Sequence, residues 1–380
     1  MNSLQVCIVG LKCFDQIAGN PIPRYLGGIE TQLVVLAKGL VKEGCQVSLI
    51  TYDHGQEDAL NFDGVTVFKT HGPDDGVPLM RWLHPRSTRL WKAMRRADAN
   101  IYLQMGAGSE TGRVALGCRM TNDRSRRFVF CLASNADYGA RLTAGRFGWE
   151  GKLCGYGFRN ADLIVAQTMH QRDGLRQALG LESQIIPMAI APPCSRPVSG
   201  TASNGSNRVL WVGRITPTKR LEWLLEAAQR CPEIEFDLVG TPNTRSDYAT
   251  RLLEMAARLP NVTVHGRLGA QDLSRLYQSG RLLCCTSSLE GFPTTFLEAW
   301  SCGLPVVTTF DPDQIVARHG LGRVAATLDD VVSHLRSVLD DQEVYTKLSN
   351  AAIHYYSENH AVGTVSRRFR LALEEVAARP

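Results

Sequence analysis

The chain has 380 residues, 44% of them hydrophobic and 21% charged, with a formal net charge of +5. Such a length exceeds one ordinary core and implies two domains of about 150–200 residues each in a globular protein. The small positive balance implies no nucleic-acid partner, and no apolar run approaches the roughly 20 residues of a membrane span.

The first apolar run, QVCIV at 5–9, reads as a β-strand, since no basic segment precedes it as in a secretory leader. Its Cys7 is one of eleven cysteines, which are scattered without a C-x-x-C pair; Cys7, Cys131, Cys284 and Cys285 fall in apolar runs. They read as small buried residues of a reducing compartment rather than disulfides or zinc ligands, and the expectation is a cytoplasmic protein. A glycine turn follows in YLGGIETQLVVLAKGL, where Gly27 and Gly28 feed a helix. Glycines there allow positive φ and close backbone approach, and free N–H groups at a helix start suit a phosphate. The spacing departs from the dinucleotide fingerprint.

Further strand-like runs lie at 46–51, 65–69, 100–105, 128–132, 163–167 and 184–188, separated by amphipathic segments. Between two of them, Arg81, Arg86, Arg89, Lys92, Arg95 and Arg96 meet no acidic residue. A helix opening at Ser87 places Leu90, Trp91, Met94 and Ala97 on one face, with Arg89, Lys92, Arg95 and Arg96 towards the other. Such a helix packs its apolar stripe on a sheet, rests on an anionic membrane surface, or holds an anionic acceptor.

Residues 191–207, APPCSRPVSGTASNGSN, lack periodicity and read as a linker. Strand and helix then alternate again, with strands at 208–212, 236–239, 261–265, 282–286 and 305–308. The expected organisation is a Rossmann-like domain at 1–190, the linker, a second Rossmann-like domain at 208–355, and a helical tail at 356–380. The tail, with Val365, Phe369, Leu371, Leu373 and Val376 apolar, either crosses back to the first domain or stays on the second. The fold class is α/β, two doubly wound sheets facing a central cleft, with ligands beyond the carboxyl ends of the strands.

Two stretches of the second half carry chemistry. In VLWVGRITPTKRLEWLLEAAQR a strand ends at Gly213, and a loop bearing Arg214 and Lys219 enters a helix whose Leu221, Leu224, Leu225 and Ala228 face inward. A guanidinium and an ammonium at the carboxyl edge of a sheet can neutralise a diphosphate. CTSSLEGFPTTFLEAWSCGLPVV repeats the layout: strand, loop 287–292, Pro293 suited to a first helical turn, helix 294–301, and a stop at Gly303. Glu290 precedes that helix and Glu298 lies within it, so the carboxylates reach different parts of one extended ligand. Backbone around Gly291, Phe292, Pro293, Thr294 and Thr295 faces the same space.

These strings resemble the retaining glycosyltransferases of family four, the group 1 type with the two-Rossmann GT-B fold found in bacterial polysaccharide assembly. SSLEGFPTTFLEAWSCGLPVV is similar to their glutamate–seven residues–glutamate signature, VGRITPTKRLEWLLEA to their Arg/Lys segment and GGIET to their glycine loop. The resemblance implies a nucleotide-diphosphate sugar as donor and a glycan or polyprenyl-linked acceptor. No cofactor and no metal is implied. Arg214 and Lys219 would bind the diphosphate, approached by Gly27 and Gly28; Glu290 would hold the donor sugar and Glu298 the ribose diol, while 265–268 would face the base. Catalytic weight falls on Glu290, Arg214 and Lys219.

Two departures stand out. The loop after 128–132 reads ASNADYGAR without the histidine many members carry, leaving Ser134, Asn135 and Asp137 as candidates to touch sugar or acceptor. IPMAIAPP replaces the usual Pro-Asn-Gly. The competing readings are a nucleotide-sugar epimerase on the same fold and a non-catalytic sugar-nucleotide-binding subunit.

Overall fold

The computed structural model describes residues 3–20, 23–25, 27–76, 84–120, 126–139, 148–193, 207–242, 246–290 and 292–379. Arg81, Gly291 and most of the expected linker (194–206) lie outside the described residues. The chain divides into two compact units, Met1–Ala189 with Val362–Pro380, and Ile190–Ala361.

The first unit is built on eight strands: β1 (Gln5–Val9), β2 (Gln46–Thr51), β3 (Leu60–Phe62), β4 (Val65–Lys69), β5 (Ile101–Met105), β6 (Arg127–Cys131), β7 (Leu163–Ala166) and β8 (Gln184–Ile185), ordered β3-β4-β2-β1-β5-β6-β7-β8. All pairings are parallel except β3 with β4. The near-continuous apolar runs follow from burial on both faces. Val6 and Ile8 face the helix Gly28–Lys42, whereas Cys7 and Val9 pack with Leu90, Met94, Val114 and Phe158 on the opposite side. The final helix, Val362–Ala377, belongs to this unit and buries Val365, Phe369, Ala372, Leu373 and Val376 against Gly28–Lys42. Leu371, apolar in the same tail, is 49% exposed.

The second unit has six parallel strands: β9 (Arg208–Val212), β10 (Glu235–Val239), β11 (Val262–Gly266), β12 (Leu282–Cys285), β13 (Val306–Thr308) and β14 (Gly322–Val324), ordered β11-β10-β9-β12-β13-β14. The runs expected at 5–9, 46–51, 65–69 and 208–212 are strands with those bounds. β3 and β14 are additions to the sequence reading. Each has three residues, too few to display a period, although the Asp63–Gly64 turn that joins β3 to β4, at φ 49° and 84°, is a hairpin signal.

The basic segment forms the helix Arg86–Ala97. Leu90, Ala93 and Met94 are buried, and Arg89, Lys92, Arg95 and Arg96 are exposed. The stripe packs as an ordinary surface helix does. Its charge is less free than the sequence implies, because Arg89 pairs with Asp75 at 2.7 Å and Arg96 pairs with Asp58. Among the described residues no helix is long and apolar enough to cross a membrane. Nine described cysteines are free and buried, but Cys302 is disulfide-bonded, so the expectation of a chain without disulfides is corrected there.

Candidate functional site

β9 and β12 are neighbours, with Val209 opposite Leu282 and Leu210 opposite Leu283. Their parallel pairing carries both following loops out at the same carboxyl edge. After β9 the chain passes Gly213 and the exposed Arg214, makes a single turn at Pro217–Lys219, and enters the helix Leu221–Arg230. After β12 it runs through 286–290 to Pro293, which caps the helix Thr294–Ser301. Pro293 stands outside the first turn as an extended N-cap, at φ −67° and ψ 115°.

The two loops are stitched together. Ser288 N donates to Thr218 O at 2.8 Å, and Thr286 Oγ1 donates to Lys219 O at 2.7 Å. Thr286 in turn accepts from Trp211 Nε1 at 3.2 Å. Arg220 donates through Nε to Thr286 O at 2.8 Å and through a terminal nitrogen to Thr309 Oγ1 at 2.7 Å, while its guanidinium stacks over Trp223. Sequence reasoning missed Arg220, since nothing in a Lys-Arg pair tells a clamp from a ligand contact. Its left-handed backbone, φ 46°, turns the side chain back onto the sheet edge.

This stitching brings the Lys219 ammonium onto the Glu290 carboxylate as an ion pair, both side chains largely but not wholly buried. Arg214 stands at the same edge and, among the described residues, has no carboxylate partner. The first turn of Thr294–Ser301 adds unpaired backbone N–H groups beside them. Gly240 closes the floor: a Cβ there would stand 1.7 Å from Gly213 O, at a φ of +146°.

Glu298 lies on that short helix, partly buried, and accepts from Tyr277 Oη at 2.6 Å. Burial raises Glu298 above the usual carboxylate range, although the tyrosine hydroxyl favours the ionised form. Tyr277 occupies one carboxylate oxygen, and among the described residues the other has no partner. In the segment 265–268, His265 Nε2 lies 2.6 Å from Oδ1 of the buried Asp237, which Arg208 also holds at 3.0 Å. Its imidazole is engaged within the sheet.

In the first unit, Gly27 is an extended N-cap at φ −137° and Gly28 opens the helix Gly28–Lys42. Neither uses the positive φ that glycine permits; a Cβ on Gly28 would meet nothing within 4 Å, whereas one on Gly27 would stand 2.3 Å from Oε2 of Glu30, whose carboxylate lies beside the helix start. Ser134 and Asn135 are partly exposed at the end of β6. Asp137, offered by sequence as a sugar contact, is buried and accepts from the backbone N–H groups of Ala107, Ala133 and Ser134 at 3.1, 2.6 and 3.1 Å. Both its oxygens are committed to holding the loop. Among the described residues no three His, Cys, Asp or Glu side chains group as a metal site would require.

The comparisons with known proteins fit this geometry. A family model described as glycosyltransferase family 4 matches residues 26–192, and one described as glycosyl transferases group 1 matches residues 206–341. O-antigen chain mannosyltransferase B of Escherichia coli is 30% identical over 168 residues, 41% of this chain and 44% of the relative. The chain thus spans under half the length of the curated relatives it matches. Sucrose-phosphate synthase from Thermosynechococcus elongatus shares the fold at a TM-score of 0.75 and 16% identity, covering 99% of both chains. Anabaena HepE in complex with UDP and glucose does so at 0.71 and 17%, covering 98% of this chain and 99% of that one.

A buried carboxylate with a raised pKa favours the folded state while protonated, and that contribution is lost as pH rises through the folded pKa. Glu298→Gln is therefore expected to raise Tm at pH 8, with the gain shrinking to nothing below the ordinary carboxylate range. Calorimetric melts across pH check this; a Tm lowered at pH 8 would contradict the burial cost assigned to Glu298.

Proposed function

The chain belongs to the group 1, family 4 glycosyltransferases, and from that premise we propose that it moves a glycosyl group from a nucleoside-diphosphate sugar to a glycan or polyprenyl-linked acceptor, with retention and without a metal ion. The observation that carries this reading is the Lys219–Glu290 pair at the sheet edge that also bears Arg214, which among the described residues has no carboxylate partner. It sets a cationic group for a diphosphate and an acceptor for a sugar hydroxyl at one sheet edge.

The chemistry follows from charge. Breaking the anomeric C–O bond leaves positive charge on the sugar ring and negative charge on the departing diphosphate. Arg214 grips two phosphate oxygens with its fork, and Lys219, donating one N–H to Glu290, has two more for the same group. Positive charge fixed before the reaction stabilises the leaving group without reorganisation. A diphosphate oxygen takes the proton of the acceptor hydroxyl as that hydroxyl oxygen bonds to the anomeric carbon on the same face. No strong protein base is required. Glu290 holds a donor-sugar hydroxyl, and the second oxygen of Glu298 holds the ribose diol. The helix start at Gly27 and Gly28 offers N–H groups to phosphate once the Glu30 carboxylate beside Gly27 turns away, and Ser134 and Asn135 remain candidates for the acceptor side.

Arg214→Ala and Glu290→Ala are each expected to lower transfer by about 10²–10³-fold, the usual loss when one transition-state partner is removed. Incubation with UDP-, GDP- and ADP-sugars, followed by NMR for diphosphate release and anomeric configuration, measures this in EDTA as well as in buffer. Full activity in the double variant would refute the site, and an inverted product would refute retention.

We also propose that the enzyme works at the cytoplasmic face of a membrane, with Lys92 and Arg95 of the helix Arg86–Ala97 facing anionic lipid. Both are exposed and, among the described residues, carry no ion pair. Sedimentation with phosphatidylglycerol vesicles should show binding that salt reverses and that Lys92→Glu with Arg95→Glu removes. Equal sedimentation with neutral vesicles, or none at all, would contradict the contact.

A further inference from the structure

The first unit holds a second group of ionisable side chains, at the carboxyl edge of its own sheet. Tyr52 follows β2, His71 follows β4, Arg86 opens the helix Arg86–Ala97, and Arg113 lies early in the helix Ser109–Arg119. Tyr52 and His71 meet edge to face at 5.4 Å, and Arg86 and Arg113 act electrostatically on both.

Arg113 is the unusual member. It is 1% exposed and ranks among the largest fully buried side chains. One terminal nitrogen donates to Glu110 Oε1 at 3.2 Å, but among the described residues its Nε and its other terminal nitrogen have no partner. The Nε of Arg86 is equally unpartnered, while one of its terminal nitrogens donates to Pro73 O at 3.1 Å. Buried donors without acceptors are costly, and each asks for a reason. The helix is not free to carry Arg113 elsewhere. Trp91 Nε1 binds Arg113 O at 2.8 Å, and Gly112 packs so closely that a Cβ would lie 2.0 Å from Leu153 O. Burial, with Arg86 and Arg113 beside it, lowers His71 to about 4, so at neutral pH the imidazole adds no charge. Glu110 and Glu150 are the carboxylates that act on Arg113, and Glu110 takes only one of its nitrogens.

We propose that Arg113 and Arg86 form an oxyanion site at the N-terminus of the helix Ser109–Arg119, which takes a phosphate or diphosphate group carried by the acceptor. The Nε–H and a neighbouring terminal N–H of a guanidinium lie parallel and match two oxygens of one phosphate. The helix start adds backbone N–H groups and positive potential. Only the identity of the bearer as acceptor rests on the transferase reading; the anion site rests on the orphaned guanidinium donors.

The test titrates the full chain carrying Arg214→Ala and Lys219→Ala, which removes the diphosphate partners assigned to the second unit, with inorganic diphosphate in a calorimeter. Saturable binding is expected. Adding Arg113→Gln or Arg86→Ala should weaken it about tenfold or more, the effect of losing a charged hydrogen bond. Circular dichroism checks that Arg113→Gln folds; if it does not, the partly exposed Arg86→Ala carries the test. Absence of saturable binding in the Arg214/Lys219 background, or binding that Arg86→Ala and a folded Arg113→Gln leave unchanged, overturns the site. Donor cleavage by the unsubstituted chain is measured alongside. Cleavage without diphosphate binding sinks the oxyanion site alone, whereas binding without cleavage overturns its assignment to an acceptor.

Discussion

Lys219 and Glu290 are 71 residues apart in the chain, and their ion pair is the contact on which the account of the second unit depends. It exists because β9 and β12 are adjacent parallel strands, so two loops distant in sequence leave the sheet side by side. Neither charge is fully immersed in water, and each offsets part of the other's desolvation. An ammonium held this way is both neutralised and aimed: it keeps donors for a further anion without sweeping through the rotamers of a free surface lysine.

The surroundings divide into groups that hold and groups that remain open. Arg220, Thr286, Ser288 and Trp211 spend their hydrogen bonds on the loops themselves. Asp137 does the same in the first unit, and Asp237 with Arg208 and His265 does so within the second sheet. Arg214 and one oxygen of Glu298 are left without protein partners among the described residues. Glu298 is kept in a partly buried place at a cost to stability, which is the pattern expected where a side chain is retained for a ligand rather than for the fold. Arg113, with two guanidinium nitrogens unpartnered among the described residues, poses the same question at the other sheet.

Much of the fold was legible because doubly wound sheets write themselves as short apolar runs between amphipathic helices, with no ambiguity of face to resolve. QVCIV and RVLWV are examples, each buried on both sides. Two three-residue strands, β3 and β14, escaped, having no periodicity to show. The glutamate and Arg/Lys strings located the site, since residue type and place relative to a strand end are sequence properties. What sequence could not rank was the use of each polar atom. Asp137 looks like a ligand contact in one dimension and proves to be committed to backbone groups, and Arg220, which the sequence did not single out, holds Thr286 O and Thr309 Oγ1. Arg113, in the middle of SETGRVALGCR, reads as a solvated helix residue, and only the packing of its helix, with Gly112 against Leu153 and Trp91 on the Arg113 carbonyl, leaves it buried and unsatisfied among the described residues.

The central claim is that Lys219 and Glu290 act on the donor as one unit, and a double-mutant cycle on donor affinity tests it most directly. Dissociation constants for the sugar nucleotide that the protein cleaves would be measured for the native chain, Lys219→Ala, Glu290→Ala and the double variant. The account predicts that each single change weakens binding and that the double variant loses clearly less than the sum, a coupling of about 0.5–3 kcal/mol for side chains in contact. Unchanged affinity in both single variants, or losses that simply add, would contradict it.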